Sequence, residues 1–394
     1  MSDRIRVVLK SGKDQSVRRL HPWVFSGAIK KIYGDPAEGD LVNIYDNKDE
    51  FLASGHYQVG SIAVRIISFD ESEISPEFWF ERIRTAYMIR KQLGLAGSEN
   101  TNVYRLVNAE GDGLPGLIID FYAGNVVLQV HSIGVYRNIE SIADALKKIY
   151  GSELRSIYNK SEATMPFKGP IEAKNGFLLG TATEDIITEN SLKFRVNWND
   201  GQKTGFFIDQ RENRRLLQQY SNGRTVLNMF SYTGGFSVYA LKGHAREVHS
   251  VDSSAKAVEL LNENIKLNFD KAAHTSFAVD AFEFLNSIDN KYDLIVLDPP
   301  AFAKHQNVLG NALQGYKRLN QKALEQIKKG GILFTFSCSQ VVSKENFRKS
   351  VFAAAANTGR TVRILHQLTQ PADHAVSIYH PEGEYLKGLV LYVE

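Results

Sequence analysis

The stretch Thr225-Val226-Leu227-Asn228-Met229-Phe230-Ser231-Tyr232-Thr233-Gly234-Gly235 decides the fold, read with its echoes Val248-His249-Ser250-Val251-Asp252 and Leu294-Ile295-Val296-Leu297-Asp298-Pro299-Pro300. Each is a short apolar run that stops at a polar or glycine-bearing turn and hands over to an amphipathic segment. Strands are predicted at 225–230, 247–251, 275–279, 294–297 and 332–337, alternating with helices at 235–241, 254–269, 281–287 and 316–329. Such alternation with short loops argues for a parallel sheet covered on both faces. A helix at 344–357 follows, then strands at 362–368 and 386–393 joined by a loop containing proline and glycine. The last two are expected as an antiparallel hairpin closing one edge of the sheet.

Upstream the texture differs. Strands at 5–10, 41–45, 51–57 and 62–67 are separated by turn residues and make a small β-rich unit. Ser75, Pro76 and Glu77 open a helix that Gly94 stops. Strands at 104–107, 117–121 and 126–131, a helix at 136–150 and a strand at 155–159 complete an α+β unit. Gly111-Asp112-Gly113 reads as a hairpin connection, because no helix start follows it. There is no internal repeat and no low-complexity tract. The fold class is multi-domain, β and α/β, with expected boundaries at 1–73, 74–185 and 186–394.

Composition narrows the function. In 394 residues, 43% hydrophobic and 23% charged, 10 prolines and 30 glycines exclude the disordered and collagen-like classes. The single cysteine, Cys338, excludes an internal disulfide framework, and without a CxxC pair no Cys-based zinc site, and no metal, is expected. The apolar residues after Arg4 and Arg6 are cut short by Lys10 to Asp14, so no signal peptide is expected, nor is any membrane span. The reducing cytoplasm is the expected compartment. Net charge is +3, but residues 1–35 hold eight Lys/Arg against Asp3, Asp14 and Asp35. Of these, Arg4, Arg6, Arg18, Arg19 and Lys30 are expected to meet RNA phosphates; the alternative is a solvated basic face.

Ligands of an open parallel sheet bind beyond the carboxyl ends of its strands. Here the second strand runs into Asp252, the third into Asp280 and the fourth into Asp298. Asp252 lies 17 residues after Gly235, near the ~20-residue offset at which an acid meets ribose hydroxyls, although N-capping explains Asp252 and Asp280 equally well. A nicotinamide dinucleotide is disfavoured by the missing GxGxxG, and a nucleoside triphosphate by the missing GxxxxGK[ST]. A nucleoside without phosphates tolerates Phe230 and Tyr232 in the first turn. The strand-end acids and terminal hairpin resemble the class I, Rossmann-like methyltransferase pattern, which implies S-adenosylmethionine. Its first loop reads acid-x-Gly-x-Gly-x-Gly, and this chain departs from it at Asn228, Phe230 and Tyr232, keeping Gly234. The resemblance implies cofactor contacts from Asn228, Phe230, Ser231, Gly234, Asp209 and Asp298, with ribose near Asp252 and Ser253 and adenine near Asp280 and Phe282.

Two prolines remove two N–H donors and stiffen the turn after Asp298, so carbonyls at its start can accept bonds from a base. The bland alternative is a rigid exit turn. Cys338 ends the fifth strand on the same rim, where pyrimidine methylation at carbon needs a thiolate; the alternative is a small buried hydrophobe. A Cys–His hydrolase using Asp373 and His374 lacks an evident oxyanion loop.

Taken with His21-Pro22-Trp23-Val24-Phe25-Ser26-Gly27-Ala28-Ile29, GQKTGFFIDQR (201–211), Leu297 to Phe302, Phe336-Ser337-Cys338-Ser339, Asp373-His374 and Glu384-Tyr385-Leu386-Lys387-Gly388, these features resemble one family over nearly the whole chain. It is the family of cytosine-C5 methyltransferases of large-subunit ribosomal RNA that carry an N-terminal PUA domain. The resemblance implies a PUA-like domain at 1–73, a central α+β domain and a C-terminal methyltransferase domain. It also implies Cys338 as nucleophile, Asp298 beside it, Pro299 and Pro300 against the base, and large-subunit ribosomal RNA as partner. Related RNA enzymes place a second cysteine where this chain has Ala301, so proton removal falls to another base, Asp298 or a water. A guanine N-methyltransferase and a non-catalytic ribosome-assembly factor remain as alternatives, and monomer and homodimer both stay open.

Overall fold

A computed structural model describes residues 5–165, 171–288, 290–303 and 305–394. The chain divides into two compact units, one of residues 1–187, 196–206 and 372–383, the other of 188–195, 207–371 and 384–394.

The first unit contains two sheets. In the six-stranded one the order is Trp23–Phe25, Ile62–Ser68, Phe51–Tyr57, Leu41–Tyr45, Ile5–Leu9, Ile29–Tyr33. Two of these strands, Trp23–Phe25 and Ile29–Tyr33, are not expected from sequence, and both lie at edges. Edge strands bury little, so Ile29–Tyr33 carries exposed Lys30 and Lys31 at its centre and shows no clean alternation. The five-stranded sheet runs Gly176–Leu179, Ser156–Asn159, Asn125–Val130, Leu117–Tyr122, Val103–Asn108. Helices Pro76–Gln92 and Ile139–Tyr150 bury Trp79, Ile83 and Leu146 in its core. Gly111 to Gly113 do lie in a hairpin connection, since Val103–Asn108 and Leu117–Tyr122 pair antiparallel.

The second unit holds a seven-stranded sheet of β1 (Thr225–Met229), β2 (Glu247–Asp252), β3 (His274–Ala278), β4 (Leu294–Leu297), β5 (Gly331–Ser337), β6 (Val362–Leu368) and β7 (Lys387–Val393), ordered β3-β2-β1-β4-β5-β7-β6. The first five are parallel; β7 is antiparallel to β5 and β6. The expected sheet and its closing hairpin are therefore present. Helices are α1 (Arg211–Tyr220), α2 (Gly235–Lys242), α3 (Ala255–Asn268), α4 (Ala281–Leu285), α5 (Leu309–Gln326) and α6 (Lys344–Thr358). One face of the sheet packs Leu227, Ile295 and Leu333 against α4, α5 and α6, the other packs Val226, Val296 and Phe334 against α1 and α2. Burial on both faces is why these strands read as continuous apolar runs. Helix α5 starts seven residues before the expected 316, because Gly310 and Gly315 mask its pattern. Gly315 has a packing role, since a Cβ there would come within 3.0 Å of the Phe302 ring.

Candidate functional site

Register sets the site. Met229 pairs with Val251 and Leu297, Asp252 with Ala278, and Leu297 with Thr335, so the segments beginning at Phe230, Asp252, Val279, Asp298 and Cys338 emerge along one rim.

The loop from β1 to α2 explains its missing glycines. Phe230 has φ 57°, Tyr232 φ 44° and Gly234 φ 84°. The left-handed backbone is kept at all three places, at a cost of roughly 1–2 kcal/mol for each of the two non-glycine residues. Pinning holds it: the Tyr232 N–H donates to Asp252 Oδ2 at 2.9 Å, the Ser231 N–H to the Val251 carbonyl at 3.0 Å, and Asn264 Nδ2 to the Thr233 carbonyl at 2.9 Å. Gly234 is required on a second count, since a Cβ would lie 2.7 Å from Leu261 Cγ.

Asn228 lies beneath this loop, 1% exposed, its amide donating to Ser237 Oγ at 2.8 Å; a chain through Ser250 continues to His274. Its amide nitrogen thus braces the sheet end, while its Oδ1 is buried without a partner among the described residues. Asp252 Oδ1 accepts the Ser254 N–H at 2.9 Å, and Ser253 beside it is exposed. Asp280 caps α4, accepting the Glu283 N–H at 3.0 Å, and is exposed. The Phe282 side chain packs on the core and lines a cleft of about 330 Å³ with Arg318, Gln321, Lys322 and Glu325.

The reactive side of the rim joins residues far apart in sequence. Cys338 Sγ lies 3.9 Å from the Pro299 carbonyl oxygen. Its neighbours fix it: Ser337 Oγ donates to Tyr316 Oη at 2.9 Å and Ser339 Oγ to the Ala303 carbonyl at 2.5 Å. Pro299 is buried and Pro300 exposed, so the turn presents its second proline to solvent. Asp298 Oδ2 accepts from Gln210 Nε2 at 3.1 Å, and Gln210 Oε1 in turn accepts from Asn213 Nδ2 at 2.6 Å. Asp209, expected among the cofactor contacts, accepts from Tyr385 Oη at 2.8 Å. Gln210 and Tyr385 lay inside quoted motifs but gave no signal of these pairings.

Lys387 was equally silent. It is 4% exposed, and its Nζ donates to the carbonyls of Ser339 at 2.5 Å and Tyr385 at 2.7 Å. Burial pushes its pKa down to about 8.

Asp373 and His374 are buried within the first unit, where Asp373 accepts from the Arg90 guanidinium and the Arg105 N–H. Arg4 lies outside the described residues. Arg18 is not a free cation: it pairs with Asp14 at 2.7 Å, Asp46 at 2.8 Å and Glu50 at 2.6 Å. Two of those carboxylates lie about thirty residues downstream, beyond the stretch whose charge was counted. Arg6 pairs with Asp49 at 2.8 Å, while Arg19 and Lys30 are exposed. Among the described residues no group of three or more His, Cys, Asp or Glu could hold a metal ion, and no helix is long and apolar enough to cross a membrane.

Residues 171–375 match the family described as S-adenosylmethionine-dependent methyltransferase, and residues 7–69 match the PUA-like domain. The chain is 41% identical over 397 residues to the ribosomal RNA large subunit methyltransferase I of Aeromonas salmonicida, covering 98% of each. A solved structure from Streptococcus mutans, described as a SAM-dependent methyltransferase, is similar at TM-score 0.84 and 25% identity, covering 98% of this chain and all of that one. Another, at TM-score 0.85 with the same identity and coverage, is a methyltransferase complexed with SAH.

Proposed function

Because the chain belongs to the family of the ribosomal RNA large subunit methyltransferases I and is S-adenosylmethionine-dependent, we propose that it methylates C5 of a cytosine in large-subunit ribosomal RNA through a covalent bond to Cys338. The observation that carries this reading is Cys338 Sγ against the carbonyl of Pro299, in the turn that also bears Asp298.

The rim fits the cofactor. Ser231 Oγ and Asn228 Oδ1 are buried without a hydrogen-bond partner among the described residues, an uncompensated arrangement that a polar ligand relieves. Ser231, the loop through Gly234, and Asp252 would hold S-adenosylmethionine, with Asp280 and Phe282 at its base. When bound, it supplies a methyl group on a positively charged sulfur. The Cys338 thiolate adds to cytosine C6, and the C5=C6 electron pair makes C5 nucleophilic. Once C5 carries the methyl group, its proton leaves to a base, the C6–S bond breaks and the thiolate returns. Asp298, or a water, serves as that base. The Pro299 carbonyl region positions the base, and exposed Arg19 and Lys30 contribute phosphate contacts that read no sequence.

Large-subunit ribosomal RNA containing 5-fluorocytidine tests this. Fluorine cannot leave as a proton does, so with S-adenosylmethionine a denaturant-stable protein–RNA adduct should accumulate. Cys338→Ser should abolish the adduct and lower turnover at least ~10³-fold. An active Cys338→Ala enzyme with no adduct would replace this mechanism by methylation at a guanine nitrogen.

A further inference from the structure

We propose that Lys387 is a positioning residue for Cys338: its buried ammonium, held on the carbonyl of the residue that follows the cysteine, stabilises the Cys338 thiolate. The inference rests on Cys338 being the nucleophile.

The placement follows from sheet register. Strand β7 runs antiparallel to β5 with Lys387 opposite Ser337, the last residue before Cys338. The lysine is 4% exposed and donates two of its three N–H groups, to the carbonyls of Ser339 and Tyr385. Among the described residues no carboxylate lies within ion-pair distance of it. A buried cation held only by peptide dipoles is costly, and an anion nearby recovers that cost. Cys338, adjacent in the chain to the Ser339 carbonyl that Lys387 holds, can become one, and its charge acts to raise the Lys387 pKa against the depression by burial. The other charges facing Lys387 are Lys344 and Glu384, which pair with each other at 2.5 Å and largely cancel. On the far side of the cysteine, Tyr316 is held neutral by burial, and the Cys338 and Asp298 charges push it the same way. An ammonium held in this segment favours the thiolate by its charge, so the two groups would titrate as a coupled pair.

Cys338 is the only cysteine, so alkylation of the whole protein by iodoacetamide reports this thiol alone. Its rate should rise with pH through a midpoint at least about one unit below the ordinary thiol value of ~8.5. Lys387→Met should raise that midpoint by about one unit or more, and Lys387→Arg, which keeps the charge, should hold it near the wild-type position. S-adenosylmethionine binding by calorimetry establishes that each variant is folded. A wild-type midpoint at or above ~8.5 overturns the proposal without any variant, as does a folded Lys387→Met protein with an unshifted midpoint. No RNA is involved, so the two readings separate. A lowered, Lys387-dependent midpoint without fluorocytidine trapping would remove the nucleophile role alone, whereas trapping with an unshifted midpoint would remove only the role of Lys387.

Discussion

Arg90 in the first unit and Lys387 in the second are both nearly inaccessible cations, and their surroundings differ in kind. Arg90 is 0% exposed and faces both oxygens of the Asp112 carboxylate, a side chain 1% exposed, with the Asp373 carbonyl completing its donors. Lys387 has carbonyls only. Neutralised charge is a structural tie with nothing left to give, whereas a charge held by dipoles keeps its field for whatever stands next to it. In this molecule one of the carbonyls holding it belongs to Ser339, the residue after the single cysteine.

The largest effect that sharpens this contrast comes from removing the partner of Arg90. Asp112→Ala leaves a buried guanidinium uncompensated and should destabilise the first unit by about 3–5 kcal/mol. All three tryptophans, Trp23, Trp79 and Trp198, belong to that unit, so urea unfolding followed by tryptophan fluorescence reads it directly. A loss under ~1 kcal/mol would mean the pair is no structural tie.

Acid should test the contrast from the other direction, because the first unit also holds histidine rings whose pKa burial lowers, His56, His131 and His380, and His56 is the clearest of them. His56 is 3% exposed, its Nδ1 has no partner, and it stacks on Trp79 at 6.4 Å. Burial, aided by Arg137, lowers its pKa from 6.5 to about 4. The unfolded chain then takes up the proton first, so stability is whole above about pH 6.5 and drains as pH falls toward about 4. The loss approaches about 3 kcal/mol at the lower end. His56→Phe should remove that part of the slope in the same fluorescence assay, and an unchanged slope would assign the acid sensitivity elsewhere.

The smallest effect concerns Arg18, whose carboxylates neutralise it at the surface. Arg18→Ala should leave both stability and the salt dependence of RNA binding nearly unchanged. Arg19→Ala and Lys30→Ala should each lower that slope by about one. A drop with Arg18→Ala would show that RNA displaces its internal partners.

Much of this was legible beforehand. The sheet strands of the second unit fall within one residue of expectation at each end, because parallel strands buried on both faces leave unbroken apolar runs. Cys338 and the Asp298 turn stood out because a strand end followed by rare residue types is visible locally. The edge strand Trp23–Phe25 was not, since three residues are too few to show a period, and neither was the hairpin of Glu184–Glu189 with Leu192–Asn197, whose half-buried faces carry charged and polar residues. The glycine-poor loop looked like a departure from pattern, yet Phe230 and Tyr232 keep the left-handed backbone because hydrogen bonds from other elements hold it.

The sequence by itself determined the order of elements and the parallel sheet with its antiparallel edge, because periodicity and turn chemistry act between residues a few positions apart. Only the tertiary structure decided which charges are free. Gln210 meets Asp298 across 88 residues, Lys387 meets the Ser339 carbonyl across 48, and Arg18 meets Glu50 across 32. A charge's effect depends on the dielectric and the partners around it. Both are set by strands brought side by side from distant parts of the chain, which is why a basic residue that looked available is engaged and one that attracted no notice lies beside the cysteine.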